Sequence, residues 1–131
     1  MAPPTPFASM LDALTKQRGV TAALVVSERD GIVVDSNLQI GQDGDKVAAL
    51  AASLYRKARL SARAAGMGAV SFMQLEAPGG RICAIGGGEL VLVVVAESAV
   101  NVGLVRVELL KAITDLTALG GEGGSAGGGR P

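Results

Sequence analysis

Phe7, Met10, Leu11 and Leu14 recur at helical spacing and make one apolar stripe that runs out near Arg18-Gly19, so the chain opens on an amphipathic helix. Thr5-Pro6 before it reads as a start signal: a hydroxyl that can accept a backbone N–H, then a proline at the first helical position, where its missing donor costs nothing. Val20 to Ser27 is short and rich in Val and Ala, Glu28-Arg29-Asp30-Gly31 carries an Asp-Gly turn signal, and Ile32 to Ser36 resumes an apolar run. These predict a hairpin of strands one and two. A polar loop, Asn37 to Gly44, follows, with Asp43 or Asp45 placed to cap a long Ala/Leu helix through Ala65 that Gly66 ends.

Val70 to Leu75, Arg81 to Ile85 and Glu89 to Glu97 are strand-like runs separated by Pro78-Gly79-Gly80 and Gly86-Gly87-Gly88, which predicts an antiparallel meander. The last run, Leu90 to Ala96, does not alternate, as a central strand covered on both faces requires. Val102, Val105, Leu109, Ala112, Ile113 and Leu116 return to helical spacing in a third helix ending at Leu119. The order is α-β-β-α-β-β-β-α, an α/β domain over residues 7–119 after a lead-in of residues 1–6. Residues 120–131 are Gly-rich, without periodicity, and are expected to form a disordered tail.

Composition narrows the class. Hydrophobic residues make up 49% of the 131 and aromatic ones 2%, so the interior must be aliphatic. Twelve basic and twelve acidic residues cancel, which leaves no global field to attract nucleic acid or anionic lipid. Phe7, Tyr55 and Phe72 are not grouped for base stacking, a second argument against nucleic acid. The longest apolar run, Leu90 to Ala96, is far short of the roughly 20 residues that span a bilayer, so no membrane insertion is expected. A single cysteine, Cys83, fits a reducing cytoplasm, and the amino terminus lacks the basic and apolar regions of a signal peptide.

Element order and filling together resemble the roadblock/dynein light-chain family, which includes bacterial gliding-motility GTPase-activating proteins and adaptor subunits that anchor Rag GTPases. The resemblance is carried by Gly19-Val-Thr-Ala-Ala-Leu-Val-Val-Ser with Asp30-Gly31-Ile-Val-Val-Asp-Ser, by Ala48-Ala-Leu-Ala-Ala-Ser-Leu, and by Asn101-Val-Gly-Leu-Val-Arg-Val-Glu-Leu. It implies a profilin-like layout: a five-stranded antiparallel sheet ordered 2-1-5-4-3, helix two on one face, helices one and three on the other. It also implies dimerisation through helix two and edge strand three, with itself or a roadblock paralogue, and a small Ras-like GTPase as partner.

Helix two bears on that expectation. At about 100° per residue, Val47, Leu50, Ala51, Leu54, Ala58 and Ala65 form the stripe expected to pack on the sheet. The opposite face would then carry Ala48, Ala49, Ala52 and Leu60, small side chains and one leucine suited to a helix–helix seam. Strand three from Val70, including Phe72, is an apolar edge expected to pair with its own copy. Arg56, Arg59 and Arg63 are the expected partner surface, because residues 46–76 hold five basic side chains and no acid before Glu76. For any single one of these residues the plainer explanation is helix propensity or a solvated face; the cluster is what points to an interface.

Catalytic chemistry is hard to build from this chain. Histidine is absent, which removes the usual general base, the Ser-His-Asp arrangement and His-containing metal sites. One thiol cannot make a thiolate metal site, and the glycine clusters lack the following Lys-Ser or Lys-Thr of a phosphate loop. No catalytic residue, cofactor or metal is therefore expected. The leading expectation is a dimeric regulator of a Ras-like GTPase, with a dimeric scaffold lacking any effect on a GTPase and a small-ligand sensor of profilin, longin or PAS-like layout as alternatives.

Overall fold

The structure, a computed structural model, describes residues 6–38 and 43–116. Its elements are α1 (Ala8–Thr15), β1 (Val20–Ser27), β2 (Val33–Leu38), α2 (Gly44–Ala64), β3 (Met73–Ala77), β4 (Gly80–Gly87), β5 (Leu90–Ala96) and α3 (Val102–Leu116). The strands form one antiparallel sheet in the order β2-β1-β5-β4-β3. Element order and sheet order are those expected.

Boundaries move by a few residues. β2 begins at Val33 rather than Ile32, because the Ser27 and Gly31 amides are spent closing the turn: Ser27 N–H donates to the Ile32 carbonyl and Gly31 N–H to the Ser27 carbonyl, both at 2.9 Å. Gly31 takes φ 72°, and the Asp30 carboxylate accepts the Ile32 N–H at 3.1 Å, so the Asp-Gly pair shapes this turn as its chemistry predicts. β3 begins at Met73, three residues later than expected. The cap position of α1 is Phe7, which offers no side-chain bond; Thr5 lies outside the described residues, as do the predicted end of the third helix at Leu119 and the tail. Asp43 caps α2, its carboxylate accepting the Lys46 N–H at 3.1 Å.

β5 occupies the middle of the sheet, and its unbroken apolar run divides between two cores. Leu92 and Val94 join Leu11, Leu14, Val25, Leu109 and Leu116 under α1 and α3. Val91 and Val93 join Leu24, Val26, Ala48, Ala51, Ala52 and Tyr55 under α2. Each fully buried Leu or Val contributes about 1.5–3 kcal/mol, so both faces of the sheet are needed for stability.

The α2 side is built differently from the other. Alanines line the helix where it meets the sheet, so helix and sheet approach closely, and Tyr55 fills what space remains. Its ring lies against Gly86, where a Cβ would sit 2.7 Å from Tyr55 Cζ. Only glycine fits beneath this ring. Gly86→Ala is therefore expected to lower stability by about 1–3 kcal/mol in urea or thermal unfolding. Adding Tyr55→Phe, which removes the hydroxyl that a Cβ would strike first, should return part of that loss.

Candidate interaction surface

The phase of α2 decides which of its side chains meet solvent. Ala48, Ala51, Ala52 and Tyr55 are buried, while Leu50, Leu54 and Leu60 are 56%, 39% and 48% exposed. The expected arrangement is thus corrected: Ala48 and Ala52 pack on the sheet and cannot form an outward seam, whereas Leu50 and Leu54, expected inside, face out. Hydrophobicity alone favours the leucines as the inner stripe. Tyr55 and the turn at Gly86 override it, since the ring can be buried only in the phase that puts the small alanines inward beside it. Ala49 is exposed and flanks the β1–β2 turn, its Cα 3.0 Å from where a Cβ on Gly31 would lie.

Two of the three arginines expected to face a partner are engaged within the chain. Arg59 donates through Nε and Nη2 to the two carboxylate oxygens of Glu28, each at 2.9 Å. Arg56 Nη1 donates to the Glu28 and Arg29 carbonyls at 3.0 and 2.9 Å. Together they fasten the middle of α2 to the β1–β2 turn, and the Glu28 carboxylate raises the Arg59 pKa above its ordinary value. Arg63 is exposed and, with Lys46 and Lys57, has no ion pair among the described residues. Leu60 sits between Lys57 and Arg63 on the helix, roughly 120° round from Leu54, so it belongs to a basic flank and not to the Leu50–Leu54 stripe.

Edge strand β3 is also arranged differently from expectation. Val70 and Phe72 precede the strand and are half-buried: Val70 packs toward the α2-side core, Phe72 toward the other. Phe72 lies beneath the Arg106 guanidinium of α3, 5.2 Å from ring centroid to Cζ. Leu75, 40% exposed, is the apolar side chain that β3 itself offers at the edge. On the α2 face it joins Thr21, Ile82 and Val95 around a shallow cavity of about 410 Å³ that α2 does not cover.

Groups suited to chemistry are sparse. Among the described residues no three His, Cys, Asp or Glu side chains cluster as a metal site would require. Cys83 is buried and its thiol pKa is raised, chiefly by burial. No helix among the described residues is long and apolar enough to cross a membrane.

Known proteins share this architecture. The family model described as the Roadblock/LC7 domain matches residues 7–96. The chain belongs to the Roadblock/LC7 family. Two uncharacterized proteins of the archaeon Methanocaldococcus jannaschii are each 31% identical to this roadblock chain over 106 residues, 81% of it and 92% of theirs. Among solved structures, MglB of Myxococcus xanthus superposes with a TM-score of 0.79 at 25% identity, covering 88% of this chain and 94% of that one. A Roadblock/LC7 domain of Streptomyces avermitilis gives 0.76 at 21% identity, covering 85% and 94%.

Helical periodicity alone does not mark Leu50 and Leu54 as surface residues, nor Glu28 as the anchor of two arginines. The signal for the first was Tyr55 at helical spacing from Ala48, Ala51 and Ala52, with a triple glycine elsewhere able to receive it. No local pattern announces the second, because Glu28 and Arg59 are 31 residues apart.

Tyr55 is the single tyrosine and reports on this packing. Burial raises its pKa from the ordinary 10.0, and a hydrogen bond with the Gly86 backbone offsets part of that rise. The folded chain therefore holds the phenol proton to higher pH than the unfolded chain does. The corresponding stability is full below pH 10.0 and is lost as pH climbs through the raised value. Absorbance of phenolate should show a native midpoint above 10.0 that falls to about 10 in urea; a native midpoint at or below that in urea would contradict the buried ring.

Proposed function

We propose that this roadblock domain is a non-enzymatic cytoplasmic platform that dimerises through α2 and β3 and presents the joined surface to a small Ras-like GTPase. The observation that carries the reading is the Leu50–Leu54 stripe, two large apolar side chains turned to solvent on the helix that the family resemblance assigns to dimerisation. Leu75 and the uncovered sheet floor beside β3 extend that apolar surface toward the edge, where main-chain groups remain open to a second strand. A second copy or a roadblock paralogue would cover the same area.

The basic flank supplies the partner surface. Lys57 and Arg63 on either side of Leu60 suit a partner that offers carboxylates around an apolar spot, while Arg56 and Arg59 hold α2 in place. In this reading the domain acts by positioning groups that the GTPase already carries.

Leu54→Asp should convert a dimer to a monomer in sedimentation velocity with the far-ultraviolet circular dichroism unchanged, since the side chain is already partly in water. Charge reversal at Lys57 and Arg63 together should weaken GTPase binding roughly tenfold, with loss of salt dependence. Capture of the GTP-loaded form in preference to the GDP-loaded form marks a regulator; equal recovery of both marks a scaffold without effect on the GTPase. A wild type that sediments as a monomer at every concentration would overturn the dimer.

A further inference from the structure

We infer that the outer face of α3 is a second contact between copies of this chain, formed by two α3 helices packed antiparallel about a two-fold axis at Val107. Leu104, Val107 and Leu110 are 56%, 50% and 42% exposed, on the side of α3 away from its buried Val105, Leu109, Ala112 and Leu116. Three large apolar side chains in succession make a stripe that water leaves at a gain when it is covered. α3 lies on the opposite face of the sheet from α2, so what covers α2 does not cover the stripe.

The stripe is complementary to itself. An antiparallel pair centred on Val107 sets Leu104 beside the other copy's Leu110 at both ends, and Gly103, whose α-carbon faces open space apart from Asn101 Oδ1, beside the other copy's Lys111. The charges complement one another as well. At about 1.5 Å per residue, Lys111 and Asp115 lie roughly 6 and 12 Å beyond the axis. There Lys111 comes level with Gly103 of the other copy, and Asp115 lies past that copy's first helical residue, Val102, over the turn that precedes it. That is where a cavity of about 370 Å³ opens beside Leu104, lined by Gln17, Arg18, Glu97, Val100 and Asn101.

Arg18, Glu97 and Asp115 have no ion pair among the described residues, and Lys111, itself largely exposed, meets the partly buried Glu108 at 3.5 Å. The pairing brings Asp115 to Arg18 and Lys111 to Glu97 on each side of the axis, four contacts of opposite sign. Arg106, the remaining cation of α3, is turned aside over Phe72. α2 differs, because three of its side chains without an ion pair among the described residues, Lys46, Lys57 and Arg63, are basic and one, Asp45 in the first turn, is acidic. With α3 faces joined, the α2 layers point away from one another, so an assembly of this kind offers its GTPase platforms on two opposite sides and gains avidity for a partner held at a surface. Only this last step rests on the function proposed above.

Sedimentation of the full chain over a concentration series provides the test. Val107→Asp, at an exposed position where folding should be unaffected, is expected to halve the mass of the largest species. Val107→Cys should cross-link to its own copy under mild oxidation faster than Ser9→Cys, an exposed control. Asp115→Arg should weaken the assembly and Arg18→Asp added to it should restore it. Equal masses for wild type and Val107→Asp, cross-linking no faster than the control, or failure of the charge swap to restore association would each overturn the contact. Leu54→Asp halves the mass by a separate route, so a variant pair in which Val107→Asp acts and Leu54→Asp does not refutes the α2 seam while leaving this contact standing.

Discussion

The close contact between the alanine face of α2 and the sheet governs most of what this domain offers to its surroundings. Ala48, Ala51 and Ala52 let the helix backbone approach, and Tyr55 closes the gap over Gly86. Once that ring is seated, the phase of the helix is set, because rotating α2 to bury Leu50 and Leu54 would lift Tyr55 out of its place. The exposed leucines are thus a consequence of where the tyrosine fits. An outward apolar stripe on the longest helix is then obtained without weakening the core, since aliphatic side chains from β1, β4 and β5 supply the rest of it.

Charge is arranged around the same contact. The bidentate Arg59–Glu28 pair and the Arg56 hydrogen bonds to two turn carbonyls tie α2 to the β1–β2 turn. The Arg59 and Glu28 side chains are 38% and 17% exposed, so the pair is partly shielded from water and limits motion of helix against turn. The effect on the surface is selective. Arginines that the one-dimensional pattern groups together are divided by the fold into two that hold the domain together and one, Arg63, that remains available beside Lys57 and Leu60.

The sheet separates two exposed apolar surfaces. On one side the Leu50–Leu54 stripe is rimmed by basic residues; on the other the Leu104–Val107–Leu110 stripe is rimmed by both signs. A rim of one sign favours a partner of the opposite sign, and a mixed rim can satisfy itself through a two-fold axis. Arg106 over Phe72 connects the second surface to the segment just before the edge strand, so the two sides are joined by the packing around β3.

Local patterns were enough for the element order, the turn at Asp30-Gly31, the Asp43 cap and the central place of the apolar run Leu90–Ala96, because each depends on spacing or turn chemistry within a few residues. The sheet order came from family resemblance, and the structure bears it out. Strand ends were less legible: hydrogen bonds that close a turn shorten β2, and the packing of Val70 and Phe72 into opposite cores delays the start of β3. What only the three-dimensional arrangement decided is the phase of α2. Hydrophobicity points to the leucine face of that helix, and the opposite outcome depends on a ring meeting a glycine 31 residues away along the chain. The same holds for the arginines, whose freedom depends on Glu28 arriving from another element. Periodicity can say that a helix has two apolar faces; only packing says which one is left for a partner.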